Sequence, residues 1–248
     1  MRNLLLTIKY LGTAYSGWQV QANAPSVQQT LQDAVEKLFT VRESIVGCSR
    51  TDAGVHANMY CCNIRTQSLL PCETVVRGLN AYLPSDIAVV SCQEVDYDFH
   101  ARYSCEGKEY VYLIHNSQIR DPFLENRCWN YKKHIDADFF FFFSQSFCGE
   151  HDFKAFCSAG SSVQSTVRTV KSFKVERSGD NIIMSVQANG FLYNMVRIMV
   201  GTLTDIIMGR IAPDTIESII ESCDRTNAGI TAPAQGLYLN RVFYKSNT

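Results

Sequence analysis

The chain has 248 residues, with 23 Lys and Arg against 24 Asp and Glu and a formal net charge of −1. A composition of 46% hydrophobic and 19% charged residues excludes intrinsic disorder and supports a sizeable core. Near neutrality weighs slightly against a partner as polyanionic as nucleic acid, since such binders usually carry net positive charge, but a neutral chain can still concentrate Arg and Lys on one face. The ten cysteines include no Cys-x-x-Cys pair, so zinc-ribbon and dithiol redox readings fail. They are expected to be reduced, and mostly buried as small hydrophobes. The N-terminal MRNLLLTIKYLG lacks the features of a secretory signal, and no run approaches the ~20 apolar residues of a membrane span. A cytoplasmic protein is expected.

In chain order, Leu4 to Tyr10 is predicted as a strand. Ser26-Val-Gln-Gln29 reads as a capping box, and Val27, Leu31, Ala34, Val35 and Leu38 follow at helical spacing. A short strand is expected from Glu43 to Cys48 and another from Met59 to Arg65. A helix over Glu73 to Leu83 is stopped by Pro84, and a strand follows over Ile87 to Val95. The order is β-α-β-β-α-β, the ferredoxin-like arrangement. The second half repeats it: a strand over Glu109 to His115, a helix over Asp136 to Cys148 containing five consecutive Phe (Phe139 to Phe143), and a hairpin around Ser178-Gly179-Asp180. Helices over Phe191 to Met208 and Pro213 to Cys223 follow, then a strand over Gly236 to Tyr244. The expected fold is α+β, with largely antiparallel sheets and helices outside. It has two halves, 1–105 and 106–248, joined without a linker and sharing a central cleft.

The loop between the two middle strands of the first half, GCSRTDAGVHANMYCC from Gly47 to Cys62, concentrates polar chemistry. Cys48 with His56 and Asp52 is a conceivable thiol nucleophile with base and orienter, although Cys48 ends a strand that reads as buried. A phosphate loop would need more glycines and a following helix. Asp52 and His56 lack further metal ligands nearby. Asp-Ala-Gly is also ordinary turn chemistry, with Arg50 and Asp52 as a surface pair. The remaining reading makes Asp52 a nucleophile held as the carboxylate by Arg50, with Gly54 allowing close backbone approach. Spacing alone does not say what it attacks.

Ser49-Arg-Thr-Asp-Ala-Gly-Val-His-Ala57 resembles the catalytic loop of the TruA family of tRNA pseudouridine synthases, with Ser49 where Gly is usual. The likeness extends along nearly the whole chain, through Tyr10 to Gln19, Gly78 to Asn80, Leu83 to Ile87, Phe99 to Arg102, Lys108 to Tyr112, Gly149 to Phe153, Arg168-Thr169, Asn189 to Arg197, Val200 to Thr202, Thr231 to Pro233 and Gly236 to Leu239. The resemblance implies the pseudouridine synthase fold and conversion of uridine to pseudouridine at positions 38, 39 or 40 in the anticodon arm of tRNA. It implies no cofactor or metal, and a homodimer. The catalytic residue by motif match is Asp52. Attack on the ribose, attack on the base and stabilisation of a glycal-type intermediate all stay open. A stacked target base must be flipped out. Tyr110 is then expected to cover the uracil and serve proton transfer at C5. Arg197 is expected as an anion partner carried on the long helix, with Asp52 the natural anion. Arg50 would hold the loop or touch phosphate, and Leu237 with Leu239 would line the pocket. His56 reads as loop structure. Arg50, Arg65, Arg77, Arg102, Lys108, Arg168 and Arg197 are expected on the RNA-facing side. The alternatives are a catalytically silent RNA-binding relative and an unrelated hydrolase using Cys48. The apolar run Asp138 to Phe147, which contains Phe139 to Phe143, departs from the more polar helix usual there, and reads equally as extra core or as a dimer contact.

Overall fold

Strand β1 (Arg2–Tyr10) carries Leu4, Leu6 and Ile8 on one face, all fully buried, as the period-two pattern requires. In the computed structural model, which describes residues 1–160 and 163–245, this strand is central to the first of two units. That unit comprises Met1–Glu106 and the chain from Tyr238 on; the second comprises Gly107–Leu237. The closing strand, placed in the second half by the sequence pattern, therefore clusters with the first unit from Tyr238 onward.

In the first unit, β1 lies between β3 (His56–Thr66) and β4 (Ile87–Val95), antiparallel to both. The short β2 (Ile45–Gly47) pairs antiparallel with the far end of β3, and β10 (Leu237–Tyr244) meets the start of β3 in parallel at Tyr238 and Leu239. Helix α1 (Val27–Phe39) starts where the capping box predicts: Ser26 Oγ accepts from Gln29 N at 3.2 Å, meeting one of the orphan first-turn donors. Helix α2 (Cys72–Tyr82) packs against β4 and α1. Val27, Leu31, Val35, Val75 and Leu79, each 0% exposed, close the core over the sheet.

In the second unit, β5 (Cys105–His115), β9 (Asn181–Ala188), β8 (Val167–Ser178) and β7 (Gly149–Asp152) form a sheet of antiparallel neighbours in that order, with the two-residue β6 (Trp129–Asn130) parallel to β5. The β8–β9 hairpin turns at Gly179 and Asp180 with Ser178 opposite Asn181, as predicted. Strands β6 and β7 are too short to show alternation, and the sequence pattern misses them. Helix α3 (Ala137–Ser144) is capped by Asp136, whose Oδ1 accepts from Asp138 N and Phe139 N. The run of Phe divides by helical position: Phe140 is fully buried, while Phe141 and Phe142 are exposed. The long helix α4 (Met195–Ile207) begins four residues later than the apolar pattern predicts. Asn194 adopts a left-handed conformation at φ 62°, so the segment before it turns rather than coils. Helix α5 (Ile216–Ser222) completes the unit. The fold is α+β, as expected. No helix of the described residues is long and apolar enough to cross a membrane.

Candidate active site

The loop from Cys48 to Val55 is clamped from one side by the turn that follows β1. Trp18 N donates to Thr51 O at 3.1 Å and Gly54 N donates to Tyr15 O at 3.3 Å, while Val55 N closes a turn onto Asp52 O at 3.1 Å. Tyr10 Oη and Thr51 Oγ1 share a hydrogen bond of 2.8 Å, and Thr51 is buried. Gly17 sits at φ +98°, and a Cβ there would fall 2.5 Å from Thr51 O. The Tyr-Ser-Gly-Trp turn thus needs glycine for close approach as well as for its backbone conformation. Tyr15 is anchored in turn by its hydroxyl, which donates to Asp86 Oδ1 at 2.8 Å. That bond joins the turn to the Leu83 to Ile87 segment, and neither partner stands out in the sequence alone.

Asp52 is partly buried at the tip of this clamped loop. Backbone bonds at Thr51 and Gly54, with the Val55 N bond to its own carbonyl, fix the loop around it before any substrate arrives. His56 is 0% exposed, its Nδ1 accepts from Gly12 N at 2.9 Å and its ring packs against Tyr238 with centroids 4.7 Å apart. The proton therefore sits on Nε2, and the residue, read from the sequence as part of the loop, instead opens β3 and ties it to Gly12. Cys48 is also 0% exposed. A nucleophilic thiol needs access to its substrate, so burial counts against the cysteine-hydrolase reading. Burial likewise pushes the neighbouring Cys61 thiol up to about 11 and that of Cys62 well above its ordinary value.

Arg50 departs from one sequence expectation. It is exposed and makes no ion pair with Asp52. The hydrogen bonds that fix Thr51 leave the Arg50 side chain lining a shallow groove beside Trp18 and Arg102. Of the other basic residues expected on one side, Arg65 and Arg77 are exposed, with the Arg65 guanidinium 4.6 Å from the Tyr97 ring centroid. Arg168 donates to Ser165 O and Val167 O, and desolvation lowers its pKa.

The second unit carries the other three sequence-predicted site residues. Tyr110 lies on β5, on the same face as Tyr112 and Ile114, and is 6% exposed. Phe191 meets its ring edge-on, with centroids 4.9 Å apart and planes at 81°, a favoured aromatic geometry. Arg197 lies in the first turn of α4. Its Nε donates to Ala232 O at 2.7 Å and its Nη1 donates to Asn194 Oδ1 at 2.6 Å, while Asn194 Nδ2 donates to Ser158 Oγ at 2.9 Å. Both bonds help to aim the guanidinium. Burial pushes the Tyr112 phenol well up, and the nearby Arg197 charge pulls it the other way. Leu237 is buried directly after Gly236, which abuts the Tyr112 ring.

The segment that holds Arg197 depends on a second close approach. A Cβ on Gly201 of α4 would fall 1.8 Å from Ile230 O. Without it, the 228–232 segment runs against the helix and is tied there by Gly229 N to Thr202 Oγ1, Ile230 N to Asp205 Oδ2, and Ala232 N to Arg197 O, at 2.9, 2.9 and 3.0 Å. Asp205 is 5% exposed and also accepts from Arg210 Nη1 at 3.0 Å. Sequence reading missed both Asn194 as an aiming residue and Asp205 as an anchor. A buried acid within an apolar helix was the available signal for Asp205.

Residues 6–104 and 143–245 match the family model described as tRNA pseudouridine synthase. Over 244 residues the chain is 44% identical to a tRNA pseudouridine synthase A of Thermoanaerobacter sp. (strain X514), covering 98% of this chain and 100% of that protein. It is 46% identical over 244 residues, with the same two coverages, to a tRNA pseudouridine synthase A of Acetivibrio thermocellus. Among solved structures, a chain from a Cbf5-Nop10-Gar1 complex is similar at TM-score 0.43 and 13% identity, over 97% of this chain and 50% of that one.

Proposed function

The chain belongs to the tRNA pseudouridine synthase family, and on that premise we propose that it isomerises uridine to pseudouridine in the anticodon arm of tRNA, at positions 38, 39 or 40. The reaction breaks the C1′–N1 bond, turns the uracil and joins C5 to C1′, with loss of the C5 proton and gain of one at N1. Atoms and electrons balance within one nucleotide. The chemistry asks for a fixed carboxylate at the glycosidic bond, a surface that keeps the detached uracil, and a proton acceptor for C5.

Asp52 is the carboxylate in this reading, and the observation that carries it is the clamped loop: backbone bonds on both sides hold Asp52 partly exposed at its tip. Preorganised charge of this kind lowers a barrier because nothing need reorient during reaction. Tyr110 covers the flipped base and takes part in proton transfer at C5, with Phe191 fixing the ring edge-on. Arg197 supports the developing charge from a network that includes Ala232 O and Asn194 Oδ1. Arg50, exposed and without a carboxylate partner, touches RNA phosphate. Leu237 contributes apolar wall. Extruding a paired or stacked base costs a few kcal/mol, which contacts of this kind offset.

The same reading extends to two ferredoxin-like halves, a homodimer and a cytoplasmic location. The order β1-α1-β2-β3-α2-β4 in the first unit, with β1 between β3 and β4, supports the first of these. Tritium release tests the reaction itself. Unmodified tRNA labelled at uridine C5 should lose label to water when mixed with the protein, in step with pseudouridine formed. Retention of all label across several tRNAs carrying uridine at 38, 39 and 40 would refute the proposal.

A further inference from the structure

Apart from the phosphate contact proposed for Arg50, the groove that it lines has no part in the chemistry above. It holds about 260 Å³ and its walls include Trp18, Gln28, Arg50, His100, Arg102 and Tyr103, with no carboxylate among the lining residues. Two guanidinium groups with no acid between them favour an anion. The aromatic content is as pointed. Tyr103 is 78% exposed, which leaves its ring open to a stacking partner. It lies against the His100 ring with centroids 4.3 Å apart and planes at 32°, and the Arg102 guanidinium stands 5.9 Å from its centroid.

The turn that presents this ring is rigid. His100 Nδ1 accepts from Arg102 N and Tyr103 N, at 3.2 and 3.3 Å, and His100 N donates to Ser104 Oγ. The Nδ1 lone pair is occupied, so the neutral imidazole carries its proton on Nε2. Buried Ala101 is pinned on both sides, by Asn63 Oδ1 and by the Tyr244 hydroxyl. The opposite wall is equally fixed: Trp18 stacks on Tyr60 at 4.0 Å and donates its backbone N–H to the loop that bears Asp52. A preorganised turn holding an exposed ring in a groove lined by guanidinium groups is the arrangement that single-stranded nucleic acid recognition uses.

We infer that this groove is an RNA subsite flanking the target nucleotide, in which Tyr103 stacks on an unpaired base and Arg50 with Arg102 takes the adjoining phosphodiester. The inference rests on the proposed reaction only in naming tRNA as the source of the strand. Binding is measured with the full chain carrying Asp52→Asn, using an unmodified anticodon stem-loop and, separately, uridine monophosphate. Tyr103→Ala should weaken stem-loop binding by roughly 5- to 100-fold, the range that one lost base stack gives, and Tyr103→Phe should bind as the parent does. Arg102→Ala should lower the slope of log affinity against log salt by about 0.7 to 0.9, one phosphate contact. In turnover on tRNA by the otherwise native chain, the Tyr103→Ala loss should fall on KM and not on kcat.

If the native chain forms pseudouridine and Tyr103→Ala binds the stem-loop as tightly as its parent, the subsite is wrong and the enzyme reading stands. If no tRNA is converted but Tyr103→Ala still weakens the stem-loop, the enzyme reading fails and the subsite stands. Uridine monophosphate binding as tightly as the stem-loop would overturn the inference in favour of a small-nucleotide site.

Discussion

Replacing Gly201 by Ala sets two effects of opposite sign against each other. Glycine within a helix is less stable than alanine by roughly 0.5–1 kcal/mol, so helix propensity alone predicts a more stable protein. The structure predicts the reverse, because the added Cβ would stand 1.8 Å from Ile230 O and 2.7 Å from Ile230 C, both backbone atoms. The 228–232 segment must move away. Overpacking of this sort costs about 1–3 kcal/mol. Four hydrogen bonds across the same seam, three from backbone amides and one from Arg197 Nε, are also weakened, each contributing about 0.5–1.5 kcal/mol. With half of that lost, the net destabilisation after the helix gain is about 3 kcal/mol. In a protein of this size that lowers Tm by roughly 6–12 °C. Activity should fall further than stability suggests, because Arg197 is aimed by Ala232 O. Thermal unfolding by circular dichroism, paired with turnover at a temperature where both proteins are folded, reads both effects. A Gly201→Ala protein with equal or higher Tm would show that the close approach does not constrain the segment.

Three further outcomes follow, one in the second unit and two in the first. Asn194→Ala removes a hydrogen bond that aims the Arg197 guanidinium and the tie to Ser158; misplacement of a reacting or supporting group by about 1 Å costs on the order of a hundredfold, so kcat/KM on tRNA should fall by up to that factor while far-UV circular dichroism is unchanged, and full activity would remove Asn194 from the account. Cys48→Ala should keep most activity because Cys48 is 0% exposed, and native protein treated with iodoacetamide at pH 8 should leave Cys61 and Cys62 unalkylated, since burial raises both thiols and they lie well below their pKa there. Loss of all activity in Cys48→Ala would revive the thiol-enzyme reading.

The first unit was legible in the sequence because its signals are local. Ser26 and Gln29 mark a helix start that the cap hydrogen bond reproduces, and alternation along β1 places Leu4, Leu6 and Ile8 inside. The start of α4 was not legible, because the apolar spacing from Leu192 onward continues through Asn194, whose left-handed backbone breaks the helix. Periodicity reports which residues are buried, not where a chain begins to coil. The relation of Arg50 to Asp52 failed for a similar reason. Two residues apart in sequence says that charges are near, but the hydrogen bonds to Thr51 decide which way each side chain points. His56 reads as loop structure in the sequence but opens β3, and its partner Gly12 lies 44 residues away, which no spacing rule could supply. The groove turn from His100 to Ser104 shows the same limit, since the exposure of Tyr103 depends on a side chain bonding to backbone two and three residues on.

The central claim is that the clamped loop presents Asp52 to a uridine. The most direct measurement is to incubate unmodified tRNA, carrying uridine at 38, 39 and 40, with the native chain and with Asp52→Asn, and to map pseudouridine by position. Asn is isosteric and leaves the backbone bonds of Thr51, Gly54 and Val55 in place, so the fold should persist while the charge is lost. The account predicts pseudouridine within these three positions from the native chain and none from Asp52→Asn. Full conversion by a verified Asp52→Asn protein would contradict it.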